Sequence, residues 1–351
     1  MKRCLRLICL WLLLLSVLTG CGSSFAVPAA AEDATEEPSE SGDVITIGFS
    51  QLGAESDWRR ANTESMLAAF PKADGYQLLY QNGQQKQSNQ ITAIRTFIQQ
   101  EVDYIVLAPA TETGWESVLE EAREAGIPVI LVDRRVDVKD KSLYTCWVGS
   151  DFELEGKKIT AWLRAYAAGK GISGRSLHVV NIQGTIGSTA QIGRTRGLAN
   201  ASRAYGWELL AEMSGEFTQT KGREVMSAML GRFNDRINVV YCENDNEAIG
   251  AIEAIEAAGK RVGNDPARGD ILVLSFDGVN EEARAYAREG KIACIGECNP
   301  LHGPRVRALI EMLERGETPD KFNYVDEKIY SSLSDVRTVM VDGVAYEVEE
   351  P

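Results

Sequence analysis

YIVLAPATETGWESVLEEAREAGIPVILVD, residues 104–133, decides the fold. Two short apolar runs rich in β-branched residues, 104–109 and 128–133, flank an amphipathic stretch of helical length. The runs are continuous rather than alternating, as strands covered on both faces must be. The same grammar comes earlier in VITIGFS (44–50) and YQLLYQN (76–82). A helix is predicted over 88–99, where Ile91, Ile94 and Ile98 fall three and four residues apart on one stripe. After YTCWVGS (144–150) the pattern restarts with LHVVNIQG (177–184), WELLAEMSG (207–215), VVYCEN (239–244), ILVLSFDG (271–278) and KIACIGEC (291–298). Strand then helix, repeated, predicts an α/β protein of two doubly wound parallel-sheet lobes. The roughly 300 residues from Val44 onward are enough for two domains on the usual length prior.

Open parallel sheets bind ligands beyond the carboxyl ends of their strands. The residues there are polar and capable of several hydrogen bonds: Ser50 and Gln51, Asn82 to Gln84, Asp133-Arg134, Thr185, Asn244-Asp245, Asp277 and Glu297. Asp133-Arg134 is the most pointed of these. A carboxylate accepts from two adjacent hydroxyls and a guanidinium donates in a fixed fork, so together they read a vicinal diol.

Upstream of the fold, Lys2, Arg3 and Arg6 precede an apolar run from Leu7 to Leu18, too short for a stable membrane span. Leu18-Thr19-Gly20-Cys21 resembles a bacterial lipobox, which makes 1–20 a lipoprotein signal peptide and Cys21 a lipidated N-terminus. Residues 21–43, built of Ser, Ala, Pro, Glu, Asp and Thr, read as a disordered tether. The mature chain then works outside the cytoplasm, lipid-anchored to the cell membrane. Losing Lys2, Arg3 and Arg6 takes the formal charge from −14 to −17, which argues against nucleic acid and anionic lipid surfaces as partners.

Seven blocks carry a resemblance to a known family: GFSQLGAESDWRRA (48–61), NGQQKQSNQI (82–91), APATETGWE (108–116), LVDRRVDVKDKSLY (131–144), NIQGTIGS (181–188), SGEFTQTKGREVM (214–226) and FDGV (276–279). The chain resembles the type I periplasmic sugar-binding proteins of ABC transporters, the ribose-binding-like family, in the branch of the galactofuranose-binding proteins. The resemblance implies two lobes joined by a three-segment hinge, 44–149 plus 299–325 and 150–298 plus 326–351, closing on a monosaccharide. It also implies ABC permease subunits as the membrane partner, a monomer, and a galactofuranose-like aldose as the favoured ligand.

Carried over residue by residue, the family's sugar-binding positions are Gln51, Glu55, Trp58, Arg59, Gln84, Asp133, Arg134, Thr185, Arg194, Asn244, Asp277 and Glu297. Trp58 would stack on the apolar face of a sugar ring. Asn244 would be the ligand and Asp245 the helix cap. The chain departs from the family pattern at Asn82, at Phe152 after the hinge aspartate, at Gly193 before Arg194, at Glu243 and at the GECNP stretch around Glu297. These departures leave the exact sugar open, because one unpaired buried hydroxyl is enough to change the preferred ligand.

No motif of catalysis offsets this reading. His178 lies inside a strand pattern and His302 after a turn, neither beside a nucleophile signature, and Gly184-x-x-Gly187 lacks a P-loop lysine and dinucleotide spacing. Cys294-x3-Cys298-x3-His302 has metal-like spacing but spans a strand and a turn with no fourth ligand, so no metal and no cofactor is expected. Cys146, Cys242, Cys294 and Cys298 permit disulfides without fixing a connectivity. The expected function is therefore an extracytoplasmic sugar receptor of an importer and not an enzyme. A sugar-sensing receptor feeding a sensor kinase or chemoreceptor is the alternative.

Overall fold

The computed structural model describes residues 44–351. The expected signal peptide, Cys21 and the tether lie outside the described residues. The first sheet takes β1 (Ile45–Gln51), β2 (Tyr76–Asn82), β3 (Tyr104–Leu107), β4 (Val129–Val132) and β5 (Cys146–Gly149). The second takes β6 (His178–Gln183), β7 (Glu208–Ser214), β8 (Val239–Cys242), β9 (Arg261–Val262), β10 (Asp270–Asp277) and β11 (Ile292–Glu297). The chain then returns to the first sheet with β12 (Phe322–Tyr324). It ends in the second with β13 (Ile329–Tyr330), β14 (Thr338–Val341) and β15 (Val344–Glu349).

Between the strands run nine α-helices among the described residues: α1 (Asp57–Ala69), α2 (Gln87–Gln99), α3 (Glu116–Glu124), α4 (Phe152–Gly169), α5 (Thr189–Tyr205), α6 (Gln219–Phe233), α7 (Asp245–Ala257), α8 (Glu281–Arg288) and α9 (Gly303–Glu314). The first sheet, in the order β12-β5-β4-β3-β1-β2, is parallel throughout. Each sheet is covered on both faces, which is why its central strands are apolar without alternation. Phe97, Trp115 and Trp147 fill one face of the first sheet, and Phe49, Met66 and Ile310 the other. Met226, Ile249 and Val273 fill one face of the second, and Trp162, Leu198 and Phe276 its opposite.

The second sheet departs from the expected parallel pattern at one edge. Its order is β14-β15-β13-β11-β10-β8-β6-β7, with β9 pairing β10. β13 runs antiparallel to β11, and β14 and β15 form an antiparallel hairpin. The turn of that hairpin is Asp342-Gly343, both with positive φ (50° and 84°), the two-residue geometry that Asp-Gly favours.

Three segments carry the chain from one sheet to the other: β5 into α4, β11 into α9, and β12 into β13. They are tied at one hub. Glu327 accepts from Ser150 Oγ at 2.5 Å and from the Asn299 amide at 2.9 Å, and Ser150 Oγ lies 3.3 Å from Cys298 Sγ. Helix starts are capped where the chain leaves a strand: Ser56 caps α1, Asp151 caps α4, Ser188 caps α5 and Asn244 caps α7. α4 and α5 cross without side chains between them, because a Cβ on Gly197 would fall 2.7 Å from the Gly156 backbone. That close crossing places Glu155 and Arg194 against each other.

Candidate functional site

The capped helix starts and strand ends of both sheets surround a cavity lined by Glu55, Ser56, Trp58, Arg59, Asp133, Arg134, Phe152, Ala190, Arg194, Phe217, Asn244, Asp277 and Cys298. Eight of the sequence-expected residues thus meet in one place: Glu55, Trp58, Arg59, Asp133, Arg134, Arg194, Asn244 and Asp277.

On the first-sheet wall, Arg59 donates to Asp133 Oδ2 at 2.6 Å, Glu55 Oε1 at 3.2 Å and Gln51 Oε1 at 3.3 Å. Burial works to lower its pKa, but Asp133 and Glu55 outweigh it and hold the guanidinium above its ordinary value. Arg134 donates Nη1 to the Ala110 carbonyl at 2.8 Å and lies 3.8 Å from Glu55 and 3.9 Å from Asp133. Its Nε is buried without a hydrogen-bond partner. Burial and then Arg59 bring its pKa down to about 10, which leaves it charged at neutral pH.

On the second-sheet wall, Arg194 donates to Glu155 Oε2 at 2.7 Å, to Asp277 Oδ1 at 3.2 Å and to the Glu243 carbonyl. Burial pushes Asp277 well above the usual carboxylate range, with Arg194 pulling against it and Asp245 and Glu155 reinforcing it. Asp133 and Asp277, both at strand ends, have φ of 63° and 89°.

Several expectations need correction. Asn244, not Asp245, is the cap of α7: its Oδ1 accepts from the Glu247 amide at 2.8 Å, and its Nδ2 donates to the Phe217 carbonyl at 3.0 Å. Asp245 instead accepts from Ser275 Oγ and the amides of Val279 and Asn280. Gln51 is buried beneath the cavity and supports Arg59, donating to Asn62 and Thr63 rather than lining the space. Gln84 is exposed after β2, where its amide bonds to Asn82. Thr185 is half-buried outside the lining, and Glu297 turns away to accept from the Lys328 amide at 2.9 Å. Trp58 does line the cavity, but as an anchored wall. Its Nε1 donates to the Cys298 carbonyl at 2.6 Å, its ring meets His302 edge-on at 5.6 Å, and the Arg59 guanidinium sits 4.7 Å from its centre.

Phe152, Phe217, Ala190, Ser56 and Cys298 line the cavity without having been expected there. Phe217 carried a signal, since it follows the carboxyl end of β7 and stands in the quoted block 214–226; its φ is 61°. The four cysteines in the described residues are buried free thiols. Cys294 lies in the second-sheet core, away from Cys298 and His302, so the metal-like spacing makes no cluster. Cys298 does approach Glu155 and Glu327, with ligand atoms of the three within 4.8 Å of one another. Arg194 holds one oxygen of Glu155 and Ser150 one oxygen of Glu327, and burial pushes the thiol well above its usual range.

The lining holds three guanidiniums and three carboxyl groups, so it offers both donors and acceptors. Trp58, Phe152 and Phe217 add apolar faces. Such a lining can hydrogen-bond a small neutral polyol, and the fold around it is that of a two-sheet solute-binding protein. A model of the periplasmic binding protein domain matches residues 47–301. The chain belongs to that family, so it is an extracytoplasmic substrate-binding protein and not an enzyme.

Among its relatives, galactofuranose-binding protein YtfQ of Escherichia coli (strain K12) is 42% identical over 290 residues, 82% of this chain and 87% of the relative. A solved structure from Mycobacterium smegmatis in complex with β-D-fucofuranose is 37% identical with a TM-score of 0.76, covering 83% of this chain and 92% of its own. The binding component of the arabinose ABC transporter from Shewanella sp. ANA-3, bound to α- and β-L-arabinofuranose, is 36% identical with a TM-score of 0.74, covering 81% and 91%.

Proposed function

We propose that this chain captures a monosaccharide for an ABC importer, with a furanose-form aldose of the galactofuranose type favoured. The observation that carries this is the cavity of paired Arg and Asp residues drawn from both sheets. Such a lining offers donors, acceptors and apolar faces together, as sites for small polar ligands do. Relatives at 36–42% identity named for galactofuranose or bound to fucofuranose and arabinofuranose support the ring form.

Residues 44–149 with 299–325, and 150–298 with 326–351, act as two lobes that close on the sugar. A ligand shifts such an equilibrium only through contacts made in the closed state, so sugar groups must be held from both walls. Glu55, Arg59, Asp133 and Arg134 take one side of the sugar, and Arg194, Asn244 and Asp277 the other. The receptor is a monomer, anchored through a lipid on Cys21, and delivers its sugar to permease subunits in the membrane.

A thermal-shift and calorimetric panel of D-galactose, D-fucose, L-arabinose, D-ribose and D-fructose, with enzymatically released galactofuranose, tests the ligand. Binding to the native state raises the melting temperature by mass action. Sugars with accessible furanose forms should stabilise the protein, and a panel without any shift overturns the reading. For the anchor, Cys21→Ser should release the protein from membranes or leave its signal uncleaved.

A further inference from the structure

The sugar cavity has a neighbour. Glu112, Arg135, Glu153, Thr189, Arg196 and Tyr324 line a second, larger cavity, also between elements of the two sheets. Phe152 alone belongs to both linings. It is the first residue of α4, set by the Asp151 cap, whose carboxylate accepts from the Leu154 amide at 3.0 Å. Its ring packs with Trp58, Ala190, Phe217 and Cys298, and the Arg194 guanidinium lies 5.6 Å from its centre.

The first turns of α5 complete the wall. Ala190 lines the smaller cavity, while Thr189, Ile192 and Gly193 line the larger. The seam between the two elements is tight, since a Cβ on Gly193 would fall 2.6 Å from Phe152 Cβ and 2.8 Å from the Glu153 nitrogen. The ring is therefore held in place by backbone on one side and aromatic packing on the other.

We infer that Phe152 is a specificity-determining partition: it ends the sugar cavity at one ring and rejects sugars extended at the position that meets it. The inference rests on the sugar-binding reading and deepens it by naming the ligand class as a single unsubstituted monosaccharide. A phenyl ring offers no hydrogen bond to a hydroxyl and no room for a substituent. Beyond it the larger cavity is polar, with Arg135, Arg196, Glu112, Glu153 and Thr189 able to receive the hydroxyls of a second ring. The partition, and not the chemistry behind it, excludes the longer ligand.

The test titrates wild type, Phe152→Ala and Phe152→Leu with a sugar from the panel above that binds wild type, and with its mono-O-methyl derivatives, one hydroxyl at a time. Wild type should reject the derivatives. Phe152→Ala should recover the derivative methylated at one position alone by roughly 10- to 200-fold, the range one methylene commands in a fitted pocket. Phe152→Leu should recover it in part, and its retained apolar contacts keep the test open if the alanine variant folds poorly.

Two results overturn the partition: folded variants that bind the free sugar but recover no derivative, or a gain spread equally over every position, which would be general loosening. If wild type binds no sugar in the panel, the sugar-binding reading falls and the partition with it. If wild type binds and the selective gain is missing, the partition alone falls.

Discussion

On the first-sheet wall of the cavity two guanidiniums, Arg59 and Arg134, share Glu55 and Asp133. On the second-sheet wall one guanidinium, Arg194, serves Glu155 and Asp277, with Glu243 and Glu247 buried behind it. The first wall pairs two guanidiniums with two carboxylates. The second has carboxyls to spare, and burial pushes Asp277, Glu155 and Glu247 above the usual range and Glu243 up to about 7. A protonated carboxyl donates where a carboxylate only accepts. Burial of its carboxyls therefore makes the second wall sensitive to pH.

The largest expected effect breaks that asymmetry at its cation. Arg194→Ala strands Glu155 and Asp277 as buried charges and should cost about 3–5 kcal/mol of stability at neutral pH, the range for removing one partner of a buried pair. Because both carboxyls can take protons, the loss should shrink in denaturant melts at pH 5 relative to pH 8. Arg59→Ala should cost less, since Arg134 stands 3.8 Å and 3.9 Å from the carboxylates it would abandon. Equal losses in the two variants would mean that the walls are balanced alike.

Next in size is Glu243→Gln. The Glu243 carboxyl rises from about 4.5 to about 7 through burial, against hydrogen bonds from Thr195, the Gly184 amide and Asn181. The folded state therefore keeps a proton that the unfolded chain releases. Its stabilising contribution is whole below about pH 4.5 and is lost as pH rises through 7. The glutamine variant has no proton to lose, so its stability relative to wild type should improve between pH 5 and pH 8. The gain should be of the order of 2–3 kcal/mol at ~1.4 kcal/mol per pKa unit. A constant difference across that range would place Glu243 outside the proton-holding group. Taking variant minus wild type also removes His302, whose burial lowers its pKa to about 4 and makes it act in the opposite direction.

Much of the first wall was legible in the sequence because its residues sit in two short strings, 51–59 and 133–134, at the ends of β1 and β4. Strand-end reasoning found Asp133, Arg134, Asn244 and Asp277 for the same reason. It failed for Gln84, Thr185 and Glu297 because a strand end fixes where a backbone stops and not where its side chain turns: Glu297 is drawn to the Lys328 amide across the sheet edge. It missed Phe152 and Phe217 because an aromatic beside a helix start reads as packing until the opposite wall is known. The antiparallel edge of the second sheet is signalled by Asp342-Gly343 between short alternating runs. The cap of α7 was assigned one residue late, since Asn and Asp are nearly equal as caps and only the backbone of Asn244 decides between them.

The smallest expected effect joins the walls rather than separating them. Asp57, the first residue of α1, accepts from Asn246 Nδ2 at 2.9 Å and from Asn280 Nδ2, while its amide donates to Asn246 Oδ1 at 3.1 Å. Asn246 lies in α7 and Asn280 caps α8, so these bonds run from the first wall to the second beside the cavity without lining it. If the lobes open, they are lost to water. Asp57→Ala should then weaken the closed state by about 1 kcal/mol, the net worth of partly exposed hydrogen bonds, and weaken every sugar by the same factor of roughly five. Uniform loss is the signature, because a residue that acts on closure scales all ligands together, whereas a residue that touches the ligand changes their ranking. Solution scattering of the sugar-free variant should show a larger radius of gyration than wild type, with the unfolding midpoint nearly unchanged. An altered order of sugar preference would instead make Asp57 part of the binding surface. Unchanged affinity and unchanged scattering together would show that the two walls form a fixed cleft that the sugar enters without closing it.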